Sequence, residues 1–161
     1  MEFKTKNKYL EDIVEKYADM VYRLALTRVK HIQNAEDVFQ EVFYRLARKM
    51  PKFESEEHEK AWLIRVTINC SNTLISSNSR KNETELKEEI KFETQEKSDI
   101  YFAVLKLPKK YRTIIHLFYY EGYKINEIAA MLNIKENTIK SHLSRARETL
   151  KKYIEGGMED A

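Results

Sequence analysis

YKINEIAAMLNIKENTIKSHLSRARETLKKYI, residues 123–154, is the stretch that decides how the chain folds. Ile125, Ile128, Ala129 and Leu132 recur at three- and four-residue steps and mark one short helix. Asn133, Ile134 and Lys135 supply a tight turn, with Ile134 plugging the gap between two helices. Ile139, Leu143, Ala146 and Leu150 then mark the inner stripe of a longer helix. Ala129 is small where the second helix has to cross closely. This pattern reads as a helix-turn-helix.

The outer face of the longer helix carries Asn137, Lys140, Ser141, Ser144 and Arg145. A recognition helix presents such short polar and long basic groups to base edges and phosphates in a major groove. Arg145 and Lys140 suit guanine or phosphate, and Asn137 and Ser141 suit bases or backbone. Lys135, Arg147 and Lys151 suit phosphates, contacts that position without specifying. An ordinary helical hairpin would share the apolar spacing. The short turn, the small Ala129 and the basic outer face together favour DNA.

The charge distribution agrees. The chain of 161 residues has a formal net charge of only +3, but the excess is uneven. Lys109, Lys110, Arg112, Lys124, Lys135, Lys140, Arg145, Arg147, Lys151 and Lys152 face only Glu121, Glu127, Glu136 and Glu148. A basic segment suits a polyanion, because neutralising phosphates releases condensed counterions. Three glycines and two prolines are too few turn formers for a many-stranded β fold, and the fold class read here is all-α. Pro108 suits the first turn of a helix that ends near Gly122, with Tyr111, Ile114, Ile115 and Phe118 on its apolar face, and Ser98 suits the cap of a short helix through Leu105.

Upstream, Ile13, Val14, Tyr17, Val21, Leu24 and Ala25 form another helical stripe. Asn34 is placed to cap a second helix opening Ala35-Glu36-Asp37, and Pro51 stops it. On that helix Asp37, Gln40, Glu41, Tyr44 and Arg48 share one face, and Val38, Val42 and Leu46 another. A third helix is expected over 59–75, with Trp62, Val66 and Leu74 buried. Residues 76–97, SSNSRKNETELKEEIKFETQEK, have too little apolar surface to offset ordering entropy and read as a linker. Two small helical domains, 1–77 and 99–161, joined by a flexible charged linker over 78–98, are therefore expected.

Much chemistry is unsupported. Cys70 is the single cysteine, read as a small core residue, and His31, His58, His116 and His142 lack ligand spacing. No nucleophile–base pair, phosphate-cradling glycine loop or metal set is visible, so neither catalysis nor a cofactor is expected. No apolar run approaches a membrane span of ~18–20 residues, and no signal-peptide stretch is visible, so a cytoplasmic location without membrane insertion is expected.

Two stretches carry a family resemblance. AEDVFQEVFYRLARKM (35–50) resembles the region 2 helix by which sigma-70 family factors of the extracytoplasmic-function (ECF) group dock on the clamp helices of the largest subunit of core RNA polymerase. INEIAAMLNIKENTIKSHLSRARETL (125–150) resembles the region 4 helix-turn-helix that reads the promoter −35 element. Between them, WLIRVTIN (62–69) resembles the helix leading into −10 recognition.

The resemblance implies an alternative sigma factor that directs promoter-specific initiation while polymerase does the chemistry. It places core binding on Asp37, Phe39, Gln40, Glu41, Tyr44 and Arg48, with aromatic anchors more important than rim charges. It assigns the −10 element to Asn69, Thr73, Arg65 and Phe53, whose pocket would hold a base flipped from the strand. The −35 element falls to Lys135, Asn137, Lys140, Ser141, Ser144, Arg145 and Arg147. The loop FESEEHE (53–59) departs from the family pattern in being acidic. An anti-sigma partner is a further implication. The alternative reading is a helix-turn-helix regulator that is no polymerase subunit; it requires a ligand pocket or phosphoacceptor in residues 1–75, and neither is visible.

Overall fold

The computed structural model describes residues 2–77 and 94–156. Every regular element among them is helical, and the chain divides into two compact units, residues 1–84 and 85–161. Residues 78–93 of the expected linker lie outside the described residues.

The N-terminal unit packs α1 (Glu2–Val29), α2 (Ile32–Lys49) and α3 (Glu56–Ser77) pairwise against one another. The α1 stripe does so as its spacing requires: Val21, Leu24 and Ala25 are completely buried, with Ile13 and Tyr17 nearly so. Helix α2 contributes Val38, Val42 and Leu46. It begins earlier than the sequence suggests, with His31 rather than Asn34 at its cap. Asn34 is instead buried inside the helix, because it lies one turn before Val38 on the inner stripe. The helix ends at Met50 in the left-handed conformation, just before Pro51.

Helix α3 also starts early, at Glu56. Ser55 accepts a hydrogen bond from the His58 amide at 3.1 Å, and Glu56, Glu57 and Glu59 meet the positive helix end. Its core residues are Leu63, Ile64, Thr67, Cys70 and Ser71. Trp62, Val66 and Leu74, expected to be buried, are only half-buried. The reason is phase: Leu63, Thr67 and Cys70 define the stripe, and Trp62 and Val66 lie at its edge. Burial pushes the Cys70 thiol pKa up, which suits a small core residue.

The C-terminal unit consists of α4 (Gln95–Leu105), α5 (Lys109–Ile115) running on into a π-helical turn (His116–Tyr120), α6 (Ile125–Leu132) and α7 (Glu136–Glu155). Helix α4 is capped by Thr94, whose hydroxyl accepts from the Lys97 amide at 3.1 Å. Ser98 therefore sits inside the first turn, not at the cap. Pro108 is the cap residue of α5, one position before the helix. Arg112 is buried and donates to the Leu107 carbonyl at 2.7 Å, which braces the α4–α5 corner; burial pushes its pKa down to about 10. The π turn is closed by buried His116, 2.9 Å from the Glu121 carboxylate, and Gly122 follows at φ 74°.

Helix α7 packs against α4, α5 and α6. Ile128 and Ala129 of α6 and Ile139, Leu143 and Ala146 of α7 are all buried in this packing. Asn133 turns the chain between them at φ 56°, and the Ile134 amide bonds back to the Ala129 carbonyl at 3.0 Å. A β-branched residue is strained in that left-handed conformation. Asn133→Val is expected to cost the C-terminal unit about 1–2 kcal/mol in urea unfolding, whereas Asn133→Gly leaves it nearly unchanged or more stable.

His142 lies on the inner flank of α7, 5.3 Å from the Tyr111 ring, with Nδ1 buried. Burial first, then the cations Lys110 and Arg145, hold its pKa below the usual imidazole range. The unfolded chain therefore binds more protons than the folded one below about pH 6.5, and stability falls as pH drops through that window. The melting temperature of His142→Gln should fall less than that of the wild type between about pH 7 and pH 5; an equal fall in both assigns the pH dependence elsewhere.

Candidate functional site

Packing of the α7 inner stripe fixes what the helix shows to solvent. Lys135 precedes the helix, and Asn137, Lys140, Ser141, Ser144 and Arg145 stand along its outer side, all exposed. The structure brings these six together on one surface at the N-terminal half of α7. That end also carries the positive pole of the helix, which suits an anion. Arg147, two turns past Lys140, is also exposed, with its head group held by aromatic neighbours. Its Nε donates to the Tyr119 hydroxyl at 2.5 Å, and its guanidinium lies 5.5 Å from the Phe118 and Tyr119 ring centres.

Beside it runs an apolar groove of about 390 Å³, lined by Ile100, Val104, Ile115, Tyr120, Leu150 and Ile154. Tyr120 and Ile154 there are 51% and 46% exposed, an apolar surface that the helix-turn-helix pattern gave no sign of. Only the joint placement of α4, the π turn and the end of α7 creates it.

On α2 the residues Asp37, Gln40, Glu41, Tyr44 and Arg48 are all exposed on the face opposite Val38, Val42 and Leu46. Glu41 pairs with Arg45 at 3.0 Å, and the Arg48 guanidinium lies 5.6 Å from the Tyr44 ring centre. Tyr44, 56% exposed, is the aromatic group of this face that stands clear of the bundle. Phe39 and Phe43 are half-buried, their rings 4.8 Å apart, and Phe39 leans on Tyr22 of α1. They support the face from its flank.

Arg65, Asn69 and Thr73 form an exposed line on α3 at four-residue spacing. Phe53 sits edge-on to Trp62, ring centres 5.8 Å apart, and to His58 at 5.3 Å. Phe53 thus stands at the start of α3, and Asn69, seven residues past Trp62, lies about 10 Å further along the axis.

The segment carrying Phe53 is tied to α1 by residues the sequence did not reveal. The Tyr9 hydroxyl donates to the Pro51 carbonyl at 2.6 Å, and Lys16 pairs with Glu56 at 2.8 Å and Glu59 at 3.5 Å. The Lys16 hydrogen bond holds the Glu56 carboxyl below the usual carboxylate range and raises the lysine in return. Burial raises the Tyr9 phenol, and neighbouring Glu59 adds to it. Both ties span some forty residues, so no local pattern announces them.

Two family models match the chain: Sigma-70 region 2 over residues 13–81, and Sigma-70 region 4 over residues 97–150. These contain the α2–α3 and α6–α7 faces just described. The ECF RNA polymerase sigma factor SigW of Bacillus subtilis is 30% identical over 165 residues, covering 89% of this chain and 87% of that protein. ECF sigma factor SigE of Mycolicibacterium smegmatis is 29% identical, covering 89% of this chain and 61% of its own length. In fold, the chain is similar to the sigma factor RpoE solved with the anti-sigma factor NepR from Bartonella quintana, with a TM-score of 0.79, 22% identity and coverage of 92% and 98%. Among the described residues, no helix is long and apolar enough to cross a membrane. The two sigma regions in order, joined to this breadth of likeness, make the chain a member of the sigma-70 family, in its ECF group of alternative sigma factors.

Proposed function

We propose that the exposed faces divide the work of this sigma factor as follows. The outer face of α2 docks on the clamp helices of core RNA polymerase, with Tyr44 as the aromatic anchor and Asp37, Gln40, Glu41 and Arg48 around it. Phe39 and Phe43 hold the anchor's surroundings. Apolar burial of a few such anchors supplies most of the affinity of an interface, and the charges set orientation. On α3, Asn69, Thr73 and Arg65 line the path of the melted −10 strand, with Phe53 at its other wall. On α7, Asn137, Lys140, Ser141, Ser144 and Arg145 enter the major groove of the −35 duplex, and Lys135 and Arg147 hold flanking phosphates. Arg147 has donors left for that contact after its bond to Tyr119.

The observation that carries the DNA assignment is the exposed polar and basic side of α7, set there by the burial of Ile139, Leu143 and Ala146 on the opposite stripe. Two separately weak promoter contacts on one chain act together through effective concentration. Polymerase performs the chemistry, and the chain acts in the cytoplasm without a cofactor. Because the fold-similar RpoE was solved with an anti-sigma factor, a partner of that class is proposed here too, seated on the apolar groove of the C-terminal unit.

Two measurements test the division. Purified chain should retain core polymerase in a pull-down, and Asp37→Ala combined with Glu41→Ala should reduce that retention; failure of the wild type itself would sink the sigma reading. Arg145→Ala should weaken binding to −35 duplex by about 1–3 kcal/mol while leaving core binding intact. Equal loss of both would remove Arg145 from the DNA role.

A further inference from the structure

Arg28 stands in the last turn of α1 and is 5% exposed, a guanidinium where the inner stripe would admit an apolar residue. Its Nε donates to the Ser71 hydroxyl at 2.5 Å, and its Nη2 donates to Asn72 Oδ1. Ser71 is itself completely buried and donates onward to the Ile68 carbonyl at 2.8 Å. One buried cation thus reaches from α1 into the last turns of α3. Taking such a charge out of water is costly unless its donors are met by well-placed oxygens.

The chemistry of that contact orients Asn72. A guanidinium has five N–H donors and no acceptor. The Asn72 atom facing it is therefore the carbonyl oxygen, since a rotated amide would set N–H against N–H. The amide nitrogen consequently points away from Arg28. Asn72 is exposed and lies three residues after Asn69 and one before Thr73, on the same outward side of α3.

We infer that Arg28 is a positioning residue that locks the Asn72 side chain, so that α3 offers an N–H donor to an acceptor oxygen of single-stranded promoter DNA. This rests on the proposal that α3 lines the path of the melted strand. The acceptor is a base carbonyl or a phosphate oxygen, both of which take one N–H bond. With its oxygen turned toward Arg28, Asn72 presents its N–H groups outward. A loosely held asparagine would accept as readily as donate and would discriminate less.

The test uses the full chain assembled with core polymerase, and fork-junction DNA with a short randomised single-stranded overhang; the tightest-binding sequence becomes the probe. Asn72→Ala, and Asn72→Asp, which keeps an oxygen toward Arg28 but turns the outward donor into an acceptor, should each weaken probe binding about 3- to 10-fold. Arg28→Lys should weaken it in the wild-type background and add nothing in the Asn72→Ala background, while core binding and −35 duplex binding stay unchanged. A merely structural arginine would move all three readouts. In a scan of the overhang, one modified nucleotide should abolish the difference between wild type and Asn72→Ala: an abasic site identifies a base carbonyl, a methylphosphonate a phosphate. Wild-type affinity in Asn72→Ala, or a difference that survives every modification, overturns the inference. If Arg28→Lys fails to fold, the two variants at exposed Asn72 still decide the donor assignment. If the wild type forms no complex with core, the proposed function falls first and takes this inference with it.

Discussion

The crossing of α6 over α7 is the contact on which the rest of the C-terminal unit depends. Ile139 and Ala146 of α7 are completely buried and Leu143 nearly so, as are Ile128 and, largely, Ala129 of α6. A helix has one rotational phase, so burying this stripe forces Asn137, Lys140, Ser141, Ser144 and Arg145 outward together. The small side chain of Ala129 suits a close packing of the two helices, and Asn133 accepts the left-handed turn that a tight connection requires. The recognition surface is thus a by-product of hydrophobic packing. Its orientation is held by apolar area rather than by its own polar contacts.

The N-terminal unit uses the same constraint twice. Val38, Val42 and Leu46 set the phase of α2 and push Tyr44 and its charged neighbours into solvent. Leu63, Thr67 and Cys70 set the phase of α3 and leave Arg65, Asn69 and Thr73 in line outside. Where apolar burial alone would leave freedom, polar ties remove it. Tyr9 and Lys16 fasten the segment that carries Phe53, and Arg28 fastens the end of α3. The exposed Lys16–Glu56 bridge adds little stability by itself, since solvent and salt screen surface pairs. Its value lies in fixing where a loop sits.

Much of this was legible in sequence because it is periodic. The inner stripes of α1, α2 and α7, the Asn133 turn and the outer face of α7 all follow from spacing and residue type. Helix starts were less legible. Ser55 and Thr94 begin helices three or four residues before the expected positions, because serine and threonine occur at several places where each could cap, and α2 starts at His31 with no side-chain cap at all. Ser98 and Asn34 are chemically suitable caps that the helices simply run through. The half-burial of Trp62 and Val66 has a related cause: on a helix rich in apolar residues, several phases bury nearly equal area, and contacts from α1 and α2 select one.

Local spacing and composition dictate that the chain is helical, that one helix pair presents a basic polar face, and, through two motifs in order, which family it belongs to. Those properties reside in local spacing and composition, which neighbouring turns express without help from distant residues. Tertiary structure alone decided that Arg147 leans on Tyr119, that an apolar groove opens beside it, and that Arg28 reaches Ser71 and Asn72 more than forty residues away. These depend on which surfaces meet when helices pack, and no repeat along the chain encodes a meeting between α1 and the far end of α3.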